Sequence, residues 1–363
     1  MKLTIQAGIV ELTRRKKWLL DREYSNLQRF LREAKTAPLY SANKQQALRY
    51  YRKIKQKEYP LSLRKDLINL KRAKAFWFLK VPVYGVRGGI KVPVKPHREF
   101  PEKAELCESK IVKRKDRCIA MLTFEFSAPL IRDCSSILAV DLGERFAATA
   151  VHWQNGTVMK TLSLGREIRG VRRHYAWLRR RLQERGLTQV VKRVGSKERR
   201  VVGAILHRAS KRIVSLAFAT NSCVVLGDLT GIRRRANGKG KRLNRIVSNM
   251  PFYCLTKMIE YEAMLAGVPV VTTSEAYTSQ TCHVCGCEGK RKTQGLFLCP
   301  HCGEYNADLN GAINIAKKFE RWTGYMPIHG AAVNQPITSP SWKPSATAKG
   351  SSQACNSDCV GSQ

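Results

Sequence analysis

SILAVDLG at 136–143, FAATAVH at 146–152 and TVMKTLSL at 157–164 follow one another across short Gly-containing turns. Each is apolar or alternating over a strand's length, so the three predict consecutive β-strands. The period then changes: over 166–218, Ile168, Val171, Tyr175, Leu178 and Leu182 recur at helical spacing. SCVVLGDL (222–229) reads as a buried strand, 252–266 as a helix, VPVVTTSEA (268–276) as a further strand, and ADLNGAINIAKKF (307–319) as a last helix beginning near Ala307. Three strands, helix, strand, helix, strand, helix is the order of a ribonuclease H-like fold, a mixed sheet with helices on its faces.

Upstream, LTIQAGIV (3–10) predicts a short strand. A basic helical region follows, with Trp18, Leu19, Tyr24, Leu27, Phe30 and Leu31 at helix-like intervals. A second helical stretch is expected through Tyr50, Tyr51 and Leu61 to Leu70. From Val81 the segments VPVYGV, GGIKVPV and CIAMLTFEF argue for β-structure. Residues 1–133 therefore predict a small β-barrel with a helical insertion at about 12–80, residues 134–320 the α/β domain, and 321–363 a tail. The tail is rich in Ser, Pro, Ala and Gly, and disorder is expected from about 336.

Charge narrows the function. Lys and Arg number 66 against 27 Asp and Glu, a formal +39, while 43% hydrophobic residues allow a sizeable core. Such a surface repels itself unless a polyanion covers it, and nucleic acid supplies one through phosphate neutralisation and counterion release. Arg172, Arg173, Arg179, Arg180, Arg181 and Arg185 fill the faces of the 166–200 region that its apolar stripe leaves, and RRRANGKGKRLNR (233–245) adds a basic loop. The N-terminal apolar run is too short for a signal peptide, and no stretch approaches the roughly 20 apolar residues of a spanning helix. The expectation is a cytoplasmic protein, nucleoid-associated in a prokaryote, with neither a membrane partner nor a small-molecule substrate. Thiols stay reduced in that compartment, so paired cysteines among the 12 present point to a metal.

Cys282-x-x-Cys285 and Cys299-x-x-Cys302 are such pairs. Each tight turn brings two thiolates to one ion, and two turns complete a tetrahedral zinc site. Gly286 and Gly303 follow the second cysteine of each pair, as knuckle turns allow; His283 and Cys287 are surplus. A closed four-thiolate site predicts a structural role. The remaining chemistry-bearing residues are acids. Asp141 ends the strand SILAV, where a carboxylate is costly unless solvated or ligating a cation. Asp308 lies near a helix start, a position that the helix dipole alone would favour. Two-metal phosphodiester hydrolysis needs a larger acid cluster than these two.

AVDLG, VVLGDLTGIRRR, YTSQTCHVCG with the second C-x-x-C, and ADLNGAINIAKK, in that order over roughly 137–318, resemble the TnpB family. These are transposon-encoded relatives of the type V CRISPR effectors and of the Fanzor proteins. The N-terminal part agrees only in size, strand-then-helices layout and basic composition. The resemblance implies an RNA-guided DNA endonuclease, with guide RNA and target DNA as partners. It implies a WED-like β-barrel with a helical REC insertion at 1–133, and a RuvC-like nuclease domain at 134–320 with an inserted zinc module at 276–305. It places Asp141 and Asp308 among the ligands of catalytic magnesium.

One position departs from the family. Its second acid normally precedes Asp-Leu, where this chain has Gly227. Asp228 is one candidate to replace it, although successive strand residues face opposite ways. Loss of nuclease activity, as in TnpB-derived repressors, is a second reading, and a guide-free transposase accessory protein a third alternative for the whole chain. The preferred reading moves the acid to Glu275, at the end of VPVVTTSEA. That strand should lie beside the one ending at Gly227 and run the same way, about one strand spacing, roughly 4.8 Å, distant. Asp141, Glu275 and Asp308 then form the magnesium-binding set.

Overall fold

The structure is a computed structural model describing residues 1–33, 36–73, 76–114, 117–231, 240 and 251–323. Most of the basic run 233–245, and the tail expected to be disordered, lie outside the described residues. The chain divides into two compact units, Met1–Ala128 and Pro129–Gln363.

The first unit is built on antiparallel strands. β1 (Lys2–Ile9) alternates exposed and buried residues, with Leu3, Ile5 and Ala7 inward. It pairs on one side with β5 (Ile90–Pro96) and on the other with β8 (Arg117–Glu125). β2 (Leu61–Leu63), β3 (Leu70–Ala73), β4 (Phe76–Val81) and β7 (Ser109–Arg114) extend the sheet in the order β2-β7-β8-β1-β5-β4-β3, and β6 (Glu105–Leu106) pairs with β8. Among the described residues its two ends, β2 and β3, do not pair with each other.

Between β1 and β2 stand α1 (Arg14–Arg32) and α2 (Ser41–Tyr51). The side chain of Thr13 caps α1 by accepting from the Lys16 amide. Leu19, Tyr24, Leu27 and Phe30 are buried as their spacing predicts, while Trp18 is left exposed. The carboxylate of Glu23 is buried and satisfied by the Tyr40 amide (3.0 Å), the Asn43 side chain (2.7 Å) and the Tyr84 amide (2.9 Å). The second helical stretch is shorter than expected. Pro60 lacks the amide a continuing helix requires, and Leu61, Ser62 and Leu63 are buried as a strand against β7, with Ser62 Oγ hydrogen-bonded to the Tyr51 hydroxyl at 3.0 Å.

In the second unit the strands are β9 (Ser136–Asp141), β10 (Ala148–Gln154), β11 (Thr157–Leu164), β12 (Ser222–Asp228) and β13 (Val270–Ser274). They form one sheet in the order β11-β10-β9-β12-β13. The first three are antiparallel neighbours; β12 runs parallel to both β9 and β13. The predicted 166–218 helical region is two helices, α3 (Glu167–Glu184) and α4 (Thr188–Ala219), parted where Gly186 turns the chain at φ 67°. α5 (Phe252–Ala266) precedes β13, and Gly267 ends it in the left-handed region, φ 67°.

Strand parity assigns the two faces of this sheet. Leu138 and Val140 of β9 and Val224 and Leu226 of β12 pack with Ile205, Ile213 and Ile259 of α4 and α5. Ala139, Cys223, Val225 and Val271 pack on the opposite face against Ala312, Ile313, Ala316 and Phe319 of α6 (Ala307–Thr323). Ahead of α6, β14 (Lys290–Thr293), β15 (Leu296–Cys299) and β16 (Gly303–Asn306) make a small antiparallel sheet.

Candidate functional site

The four paired cysteines meet. The sulfurs of Cys282, Cys285, Cys299 and Cys302 all lie within 4.8 Å of one another, and Cys285 Sγ stands 3.5 Å from Cys299 Sγ. Gly286 and Gly303 take φ of 77° and 95°, conformations that bend the chain sharply behind each pair. The Cys285 thiol is held down at about 6, chiefly by a backbone hydrogen bond at Cys287, which favours the thiolate that a metal requires. A hydrogen bond with that sulfur, and burial after it, push Cys302 up to about 12. Four sulfur donors in this arrangement suit zinc. Among the described residues these four are the group of three or more ligand side chains that closes to such distances. Cys287 and His283 serve otherwise: the Cys287 carbonyl accepts from the Cys282 amide (2.9 Å), and His283 meets Asn310 through both its amide and its ring, each at 2.9 Å.

The cysteine module is fastened to α6. The Asn310 side-chain amide donates to the Thr281 carbonyl (2.8 Å), that of Asn314 to the carbonyls of Thr278 (2.8 Å) and Thr281 (2.6 Å), and Lys317 to the His283 carbonyl (2.6 Å). The turn after β14 is pinned as well: Gln294 donates to the Glu144 carboxylate, and the Ala307 amide to the Gly295 carbonyl at 3.1 Å. These bonds fix the start of α6, and hence Asp308, relative to the module.

The sheet face covered by α6 carries the acids. Asp141 has the parity of Ala139, and Gly227 that of Cys223 and Val225, so both address α6. Gly311 of α6 lets that approach happen: a Cβ there would stand 3.3 Å from the Asp141 carboxyl. Asp228 has the opposite parity, is exposed, and accepts from the Thr230 amide at 2.8 Å. Glu275 follows β13, whose Thr273 pairs with Gly227. Its side chain fills the space that a residue other than glycine would use at 227: a Cβ on Gly227 would lie 1.9 Å from Glu275 Oε1, 2.2 Å from its Cγ and 2.4 Å from its Cδ.

Asp308 is buried, its side chain 3% exposed, and Arg291 Nη2 of β14 donates to its Oδ1 at 2.5 Å. Its Oδ2 is buried and accepts no hydrogen bond among the described residues. Burial raises the Asp308 carboxyl, against the lowering by Arg291 and Arg145. Asp141 is pushed up to about 7, by desolvation first and the charge of Asp308 second, with Arg291 opposing. A buried carboxyl raised by the charge of its neighbour, beside a second buried carboxylate with an unmet oxygen, fits a hard divalent cation with oxygen ligands, as magnesium requires.

Sequence reasoning missed Arg291, Asn310 and Asn314. Arg291 sits among Lys290 and Lys292 and carries no distinguishing mark. The asparagines were findable, because they interrupt the apolar stripe of α6 at i and i+4, and Asn310 is wholly buried.

Residues 252–315 match the family described as Cas12f1-like, TNB domain. The chain is 27% identical over 190 residues to a TnpB-like protein of Methanocaldococcus jannaschii, covering 50% of this chain and 68% of that one. It is 30% identical over 213 residues to the CRISPR-associated endodeoxyribonuclease Cas12f2 of a Micrarchaeota archaeon, covering 54% of this chain and 39% of the relative. In fold it is similar to the protein of a Cas12f1–sgRNA–target DNA complex solved by cryo-electron microscopy, with a TM-score of 0.54 at 12% identity, over 83% of this chain and 80% of that one.

Proposed function

On the chain's similarity to TnpB-like and Cas12f proteins, we propose that it is an RNA-guided, magnesium-dependent DNA endonuclease of the transposon-associated kind. On this reading the second unit is a RuvC-like nuclease domain, and the first a WED-like sheet with REC-like helices holding guide RNA and target DNA. The parallel β9-β12-β13 set with its antiparallel extension supports the nuclease assignment. The formal charge of +39 supports two polyanionic partners, and no described helix is long and apolar enough to cross a membrane.

Asp141, Glu275 and Asp308 are the proposed ligands of catalytic magnesium. When bound, the metal supplies an activated water and charge stabilisation at the leaving 3′ oxygen. The chain's own contribution is placement. Gly227 leaves room for Glu275, Gly311 admits Asp141 against α6, and Arg291 holds Asp308 by one oxygen while the other stays available. The cysteine module, with zinc in its four thiolates, is proposed to be structural and to set Arg291 and the start of α6.

The observation that carries the proposal is Glu275 in the side-chain space of Gly227. Glu275→Gln and Asp141→Ala each abolish guided cleavage while RNA and target binding persist; Asp228→Asn cuts near the parent rate. Efficient cleavage by Glu275→Gln removes Glu275 from the site. Gly227 by itself favours the rival, an RNA-guided repressor that binds without cutting, and a parent protein inert under every magnesium and guide condition tested would establish that rival.

A further inference from the structure

Five described non-glycine residues have positive φ: Glu11, Lys103, Asn155, Asn221 and Tyr277. Two of them are asparagine, which tolerates the left-handed region, whereas a bulky aromatic there is an outlier that the surroundings must enforce. Tyr277, at φ 67°, is the aromatic one, and it comes two residues after Glu275.

The backbone around it is heavily tied. Thr278 donates to the Glu275 carbonyl through its amide (3.2 Å) and its hydroxyl (2.9 Å). The amides of Gln280 and Thr281 both donate to the Tyr277 carbonyl at 3.0 Å. Ser274 Oγ accepts from the Ala276 amide (3.3 Å), and Lys318 donates to the Ala276 carbonyl (3.3 Å). These bonds make the turn that delivers Glu275 to Gly227, and glycine or asparagine at 277 would make the same turn with less strain. The ring does not repay that strain by burial, since Tyr277 is 61% exposed. What tyrosine adds at this position is a flat, solvent-facing aromatic surface rooted at a fixed distance from a proposed metal ligand.

We infer that Tyr277 is a positioning residue whose ring stacks on an unpaired nucleobase of the DNA strand being cut. This rests on the nuclease reading of the Asp141, Glu275 and Asp308 face. The ligand is single-stranded because ring stacking needs an open base face, and it is tolerant of sequence because every base has one. The neutral ring orients the base while the acids address the phosphodiester beside it.

The test uses the full chain, calcium in place of magnesium, and a ten-nucleotide single-stranded DNA carrying 2-aminopurine at successive positions. With the parent and with Tyr277→Phe, fluorescence at one or two adjacent positions is quenched on binding. With Tyr277→Asn and Tyr277→Gly that quench is lost, and the half-saturating DNA concentration rises within the roughly 5- to 150-fold that one base–aromatic stack is worth. Thermal midpoints of the Asn and Gly variants equal or exceed the parent's, since both residues accept the left-handed backbone, so misfolding is not the cause. Quenching by Tyr277→Asn equal to the parent's, or no quenching by the parent at any position, overturns the inference. Failure of the nuclease reading is visible separately, as a parent that quenches in calcium yet never cuts in magnesium.

Discussion

Gly227→Ala is the smallest change that tests the proposed acid cluster. The added methyl would sit 1.9 Å from Glu275 Oε1, whereas real Cβ contacts essentially never fall below 3.0 Å. The carboxylate must therefore withdraw by about 1 Å, because Gly227 is locked in register between Leu226, paired to Val140, and Asp228, paired to Ser274. Misplacement on that scale costs on the order of 100-fold in rate, and forcing an extra methyl into a packed site costs about 1–3 kcal/mol of stability. Guided cleavage in magnesium should thus fall about 100-fold, while affinity for the guide RNA, measured at the same temperature, holds. A second variant separates loss of the ligand from general damage: Gly227→Glu with Glu275→Gly returns the carboxylate to β12, on the face shared with Asp141, and should recover cleavage. A Gly227→Ala protein that cuts at the parent rate would refute the reasoning, because Glu275 could then move freely without consequence. So would a double variant that folds and binds RNA but stays inert beside an active parent.

Cys299→Ser should lower zinc content measured by metal analysis and reduce cleavage through Asp308, because the module's bonds to Asn310 and Asn314 fix the start of α6; full zinc with unchanged cleavage contradicts the assignment. Guide RNA affinity should fall steeply with salt, with a slope of about −0.7 per neutralised phosphate on a log–log plot for single-stranded RNA; a nearly flat plot contradicts the basic footprint. Asp141 should leave a pH signature in protein without magnesium. Its carboxyl, raised to about 7, contributes stability that is fully present below the ordinary carboxylate range and is lost as pH rises through about 7. Asp141→Asn should therefore gain on the parent in thermal midpoint across that window, and parallel pH profiles would disprove the shift.

Much of the second unit was legible because periodicity and burial coincide there. SILAVDLG, SCVVLGDL and VPVVTTSEA became β9, β12 and β13 as read, and the parity rule that set Asp228 aside holds in the structure, where Asp228 is exposed and Gly227 addresses α6. The first unit was less legible. Leu61 to Leu70 reads as a continuation of the helix, whereas Pro60 and the Tyr51–Ser62 hydrogen bond go with short strands in the structure. Arg291 escaped because its role is set by a hairpin that returns it to α6, a long-range pairing that local composition does not encode. Glu23 escaped for the same reason: its three donors come from segments 17 to 61 residues away.

Gly227 carries opposite meanings under the two functional readings, and the structure gives a reason to prefer one. If the position had merely lost its acid, any small side chain would serve there, and the end of β13 would be under no demand to place a carboxylate against it. Instead the glycine's missing Cβ and the Glu275 side chain occupy the same volume, so a side chain at 227 would displace Glu275 from its place. That volume lies on the face of the sheet where burial and the charge of Asp308 already raise the cost of ionising Asp141. A further carboxylate on that face would add to the cost of ionisation, and a bound cation would offset it. A chain that serves only to hold RNA and DNA gains nothing from acids on that face, whereas a metal-dependent nuclease needs them to hold its cation.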